Sequence, residues 1–223
     1  MNEESIANEE PTKPTPPKKY YDYISVGNRT KQIGYFVQQH DKNRMFAELL
    51  QNLTEKQILV FVKSKKSADS LKKYLFEKDI DSLAVHGNHR ASQIEDGQKS
   101  FNSKESKILI TTDRIFEGMT LSDVDVVINF DLPLEAPDYF KRLRLVDEIG
   151  LSISFIDPED ERMLATIELM MKCEMVEEEI KGFAHTNGEQ TQVKDKIKKP
   201  RHKKVQQRAK RKAEIKSQWV PSK

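Results

Sequence analysis

The chain has 223 residues, 36% hydrophobic and 33% charged, which suits one core domain with solvated tails and falls short of two full domains. Its one cysteine, Cys173, excludes an internal disulfide framework, and neither a signal-peptide run nor the roughly 18 apolar residues of a membrane span is present, so we expect a soluble cytoplasmic protein without membrane contact. The net charge of +2 hides a division: 13 of the 38 Lys/Arg lie in residues 189–223 beside three acids, so an acidic body carries a basic tail that seeks polyanions.

Residues 1–18, "MNEESIANEEPTKPTPPK", combine acids with repeated Pro and predict a disordered leader. Residues 19–183 predict the folded domain. Tyr20, Tyr21, Asp22 and Tyr23 open it, either packing the incoming segment or offering a stacking surface for bases. Short apolar runs follow at 33–38, 58–62, 82–86, 107–112, 124–130 and 152–156, and their length and β-branched content predict buried strands. Between them, Met45, Phe46, Leu49, Leu50 and Leu53 share one helical face after Asp41, and Ala68, Leu71, Tyr74 and Leu75 share another. A last helix is expected from Pro158, capped by Asp157, through Met163, Leu164, Ile167, Met170 and Met171. Cys173 is expected to be an unreactive core thiol on that helix, and the acidic run "EMVEEEIK" (174–181) to be a solvated helix face. Strands alternating with helices predict an α/β domain whose mostly parallel sheet is flanked by helices. Residues 184–223 then read as a disordered basic tail, where a charge run means either a solvated segment or a nucleic-acid contact through Lys203, Lys204, Arg208, Lys210, Arg211 and Lys212, with Trp219 beside them.

Ligands of such sheets gather at the C-terminal strand ends, so the chemistry is sought in the loops that follow the strands. Four are distinctive: "VFVKSKKSADSL", "AVHGNHR", "ILITTDRIFEGMTLSDVDVVINFDLP" and "APDYFKRLRLVDEIG". In this order and spacing they resemble the second RecA-like domain of DEAD-box RNA helicases, the helicase C-terminal domain, most closely in the RhlE-like branch. The resemblance covers about residues 24–183.

That resemblance implies a motor built from two RecA-like domains, with ATP held between a Walker A loop and acidic box of the first and arginines of the second. Neither G-x-x-x-x-G-K-[ST] nor D-E-A-D occurs in this chain. The family's sixth motif is similar to "KRLRLVDEIG" at 141–150. Arg142 is kept there, while Leu145 and Glu148 stand where the later arginines would reach phosphates. In the fifth motif Thr112, Asp113 and Gly118 match, but Glu117 replaces an arginine and Thr120 an aspartate; after "HG", Ala91 and Ile94 replace a glutamine and an arginine. The resemblance thus implies a degenerate domain without autonomous ATPase or unwinding activity, and Arg142 is a vestigial nucleotide residue more apt to pair with a carboxylate such as Asp113. No cofactor is expected for the chain alone, and ATP with magnesium only if a separate first RecA-like domain completes it in trans.

The residues that the resemblance assigns to RNA backbone contact are kept. Ser64, Gly87 and Thr112 match them, Gly118 accompanies them, and Lys63, Lys65, Lys66 and Arg90 could reinforce them, because phosphate recognition needs only amides, hydroxyls and cations. The same Ser64, Gly87 and Thr112 could instead cap helices and permit turns. His86 and His89 have no partners at metal-ligand spacing. Three functions follow: binding of RNA or a ribonucleoprotein, half of a helicase completed in trans, or a protein–protein adaptor.

Overall fold

The computed structural model describes residues 22–146 and 150–186. Asp22 starts the described body by capping α1 (Tyr23–Arg29): its carboxylate accepts from the Ser25 amide and hydroxyl, both at 2.8 Å, and the Tyr23 ring lies 4.5 Å from that of Phe140. Of the two roles open to this segment, packing is the one these residues take; Tyr20 and Tyr21 lie outside the described residues, as do the leader and everything beyond Thr186.

There follow β1 (Lys31–Phe36), a short 3-10 turn at Gln39–Asp41, α2 (Lys42–Leu50), β2 (Ile58–Phe61), α3 (Lys65–Phe76), β3 (Leu83–Val85), α4 (Ala91–Asn102) and β4 (Ile108–Thr111). The chain continues through α5 (Asp113–Phe116), β5 (Val126–Asn129), α6 (Ala136–Leu143), β6 (Leu151–Ile156), α7 (Glu161–Met171) and β7 (Val176–Glu177). The strands form one sheet in the order β3-β4-β2-β5-β6-β1-β7, and every pairing in it is parallel. The expected α/β architecture holds, and each predicted strand lies within a few residues of its observed position.

Period-two alternation places the core on both faces. Ile58, Val60 and Val62 point to a cluster with Met45, Phe46, Leu49, Leu50 of α2 and Ala68, Leu71, Leu75 of α3. Leu59 and Phe61 point the other way, to Val26, Phe101, Tyr139, Phe140, Leu143, Leu164, Ile167 and Met171. All four residues of β2, β4 and β5 are buried, as strands covered on both faces must be. Each such Leu or Phe contributes about 1.5–3 kcal/mol through burial.

Three expectations are corrected at the C-terminal end. α7 begins at Glu161 because Asp157 accepts from the amides of Glu159 and Asp160, closing a turn ahead of the helix. Lys172, left-handed at φ 56°, ends that helix, so Cys173 lies past it, half-buried, with desolvation and the nearby Glu168 pushing its thiol pKa up. The acidic run is not a helix face: Val176 and Glu177 pair with Ile33 and Gly34 on the open edge of β1. Beyond it, Thr186 donates its amide (2.8 Å) and hydroxyl (2.6 Å) to the buried carboxylate of Asp41, and Arg44 lies over the Phe183 ring at 4.2 Å. Among the described residues no helix is long and apolar enough to cross a membrane.

Candidate nucleic-acid interface

Because all strands are parallel, the loops after them emerge along one edge of the sheet, and β3, β4 and β2 are neighbours there. The loops singled out in the sequence therefore meet. Lys65 Nζ donates to Asn88 Oδ1 at 2.9 Å, joining the loops after β2 and β3, and Gly87 faces Ile115 of α5, joining the loops after β3 and β4. Ser64, Lys66, Gly87, Asn88, Arg90 and Gly118 are exposed along this strip, and Thr112 is half-buried beneath it.

The structural roles open to these residues are realised unequally. Ser64 caps α3, its hydroxyl accepting from the Ser67 amide at 3.1 Å. Thr112 starts α5 through its carbonyl, which accepts from Ile115 and Phe116, while its side chain makes no capping bond. Among the described residues, Gly87 and Gly118 have no internal reason to be glycine. Neither has a positive φ, and there a Cβ would meet only Ile115 Cδ1 at 3.9 Å or the Ile115 carbonyl at 3.7 Å. Gly97 differs, since a Cβ there would stand 2.6 Å from Val85 Cγ2. Glycine that the fold does not require leaves backbone amides open to close approach from outside.

Cations along the strip are also unequal. Burial alone would lower the pKa of Lys63, but Asp160 at 3.4 Å, with Asp131 and Asp157, holds it above the usual lysine value. These carboxylates surround Lys42, 1% exposed, at 3.1 Å (Asp131), 3.6 Å (Asp157) and 3.9 Å (Asp160). Lys63 is thus committed to this network, whereas Lys66 and Arg90 form no ion pair among the described residues. Sequence reasoning missed Asp69, whose Oδ1 lies 2.8 Å from His86 Nε2. The available signal was spacing: Lys65 and Asp69, four apart on α3, both reach the loop after β3.

Toward β5 the edge changes character. Arg142, 1% exposed, donates bidentately to Asp113 (2.6 and 2.7 Å) and to Asn129 Oδ1 and the Asp131 carbonyl (both 2.9 Å), with its guanidinium 4.5 Å from the Phe61 ring centroid. The expected pairing with Asp113 is present. Lys141 bridges Asp138 (2.8 Å) and Glu117 (2.9 Å), which together hold its ammonium above the usual lysine range. Leu145 and Ile94 pack half-buried against the second core cluster, and Ala91 is exposed. The loop bearing Thr120 is pinned to α4, its amide donating to Gln98 and its carbonyl accepting from Asn102, both at 3.0 Å. Glu148 and the tail residues Lys203, Lys204, Arg208, Lys210, Arg211 and Lys212 lie outside the described residues.

Residues 41–144 match the family model of the helicase conserved C-terminal domain. The chain is 36% identical over 136 residues to the ATP-dependent RNA helicase SUB2-2 of Vanderwaltozyma polyspora, covering 59% of this chain and 31% of that one. It is 30% identical over 179 residues to the ATP-dependent RNA helicase vasa of Drosophila melanogaster, covering 76% and 27%. This chain therefore spans under a third of the length of these curated relatives. The structure of Saccharomyces cerevisiae Dbp5 bound to RNA and ADP BeF3 superposes with a TM-score of 0.63 at 25% identity, over 67% of this chain and 41% of that one. The seven-stranded parallel sheet, its loop motifs and these likenesses agree that the chain carries a helicase conserved C-terminal domain of RecA-like fold and is related to the DEAD-box RNA helicases.

Proposed function

We propose that this chain is a degenerate relative of the DEAD-box helicases that binds RNA or a ribonucleoprotein without hydrolysing ATP on its own. The string "ILITTD…DVDVVINFDLP…DY" supports a likeness to the RhlE-like branch. The observation that carries the proposal is the pair Gly87 and Gly118, whose missing side chains serve nothing inside the fold and which line one strip with Ser64, Lys65, Thr112 and Arg90. A phosphate backbone passing over this strip meets amides, hydroxyls and cations, which supply register but no sequence preference. Lys203, Lys204, Arg208, Lys210, Arg211 and Lys212 add a sequence-independent, salt-sensitive term. Loss of nucleotide chemistry is supported by Leu145 and by Arg142 and Lys141, whose charges are spent on Asp113, Glu117 and Asp138.

Fluorescence anisotropy with single-stranded RNA across a salt series, on the full chain and on one ending at Gly188, tests this. Binding that weakens steeply with salt, weakens further without the tail, and ignores ATP with magnesium is the expected result. Binding that responds to ATP, or no binding at all, overturns it. A second reading, completion in trans by a separate RecA-like first domain, is favoured by Leu134, 79% exposed on the loop that leads into α6. RNA-stimulated ATP hydrolysis on adding such a domain would establish that reading; we expect none.

A further inference from the structure

The loop after β3 carries two histidines, His86 and His89. Their rings stack with centroids 4.2 Å apart. The backbone amide of His86 donates to His89 Nδ1 at 3.1 Å, and the amide of Asn88 points at His86 Nδ1 at 3.4 Å. A main-chain N–H can only donate, so both Nδ1 atoms are acceptors and both protons sit on Nε2. On His86, which is 3% exposed, that proton goes to Asp69 Oδ1 at 2.8 Å. On His89 it has no partner among the described residues, and the half-buried ring lies in the chain between Gly87 and Arg90.

We propose that His89 is a further RNA contact, a neutral Nε2–H donor to a backbone phosphate oxygen, that the His86 main-chain amide sets its tautomer, and that Asp69 and His86 are positioning residues that hold its ring, Asp69 fixing the His86 ring on which it stacks. The proposal rests on the strip being an RNA-binding face. It differs from the cationic contacts in one measurable respect. A neutral donor lowers affinity when removed without releasing a counterion, so the salt dependence stays put, whereas losing Arg90 lowers the salt slope by about 1.

The test uses the full chain with nitrogen-15-labelled histidine and a single-stranded oligouridylate. Nitrogen spectra of the free protein are expected to show Nε2–H tautomers for His86 and His89, and RNA, but not inorganic phosphate alone, is expected to shift His89 Nε2. His89→Asn, which keeps an acceptor near Nδ1, is expected to weaken RNA binding about three- to tenfold, the worth of one hydrogen bond, at unchanged salt slope. His89→Gln, which restores a donor near Nε2, is expected to recover most of it, and Asp69→Ala to behave like His89→Asn. Wild-type binding with both His89 variants unaffected, with Asn tolerated and Gln not, or with an Nδ1–H tautomer at His89 overturns this proposal alone. Absence of RNA binding by the wild-type chain overturns the RNA-binding reading and this proposal with it.

Discussion

The strip over β3, β4 and β2 and the corner at β5 and α6 lie along one edge of one sheet, yet they dispose of their polar groups in opposite ways. At the corner, Arg142 directs its donors to Asp113, Asn129 and the Asp131 carbonyl, and Lys141 is shared between two carboxylates. On the strip, the side chains of Lys66 and Arg90 form no ion pair and the His89 Nε2 has no partner among the described residues, and neither Gly87 nor Gly118 has a close neighbour there that would exclude a side chain. A site that acts on something outside the molecule must keep donors in reserve, and only the strip does. The corner is a structural joint, and polar residues at a joint are read by stability rather than by affinity.

The largest effect should come from breaking the joint. Arg142→Ala leaves Asp113 and Asn129 without their partner and is expected to cost about 3–5 kcal/mol in urea unfolding, with little further loss of RNA affinity in molecules that remain folded. A stable Arg142→Ala protein would show that the corner is no joint at all. Next come the two kinds of glycine. Gly97→Ala drives a Cβ against Val85 and Leu83 and should cost about 1–3 kcal/mol, whereas Gly87→Ala should leave stability within about 0.5 kcal/mol. Gly87→Ala should nonetheless weaken RNA binding by about tenfold, the cost of one lost charge-assisted bond to phosphate. Equal effects of both substitutions on stability would mean that Gly87 is structural after all.

Smallest is a pH effect that belongs to neither region. Burial pushes the Asp41 carboxyl up, but the Thr186 hydroxyl and amide and Arg44 outweigh it and hold its pKa at about 2, below the ordinary 3.8. A depressed carboxyl stabilises above its ordinary value and loses that contribution as pH falls through its folded one. The bonds to Thr186 should therefore be intact above about pH 4 and fail as pH falls toward about 2. Amide exchange at Thr186 checks this, and protection unchanged at pH 2 would contradict it.

Much of the fold was legible because buried parallel strands are short, β-branched and continuous, as "ILVFV" and "KILITT" are. What escaped has physical reasons. β7 is two largely exposed residues that pair because β1 has an open edge, and no hydropathy pattern marks a strand that short. α7 starts late because Asp157 prefers the turn amides to a helix end. At the site, the strip residues were visible as loop motifs, but the anchors Asp69 and Lys42 were not, since each acts across elements far apart in sequence. Conversely, Lys63 looked available in the sequence and is held by Asp160.

The hold of Asp41 on Thr186 also has a mechanical side. A pull applied through the C-terminal segment is borne first by the bonds of Thr186 to Asp41 and His40 and by the contacts of Arg44 with Ala184 and Phe183, then by the two-residue pairing of β7 on β1. Both yield by peeling, one contact at a time. Behind them stands the six-pair parallel ladder of β1 and β6, which must be sheared as a unit. The described body thus has a soft outer fastening in series with a stiff sheet, and a tug at Thr186 would be absorbed at the fastening before it reached the ladder of β1 and β6.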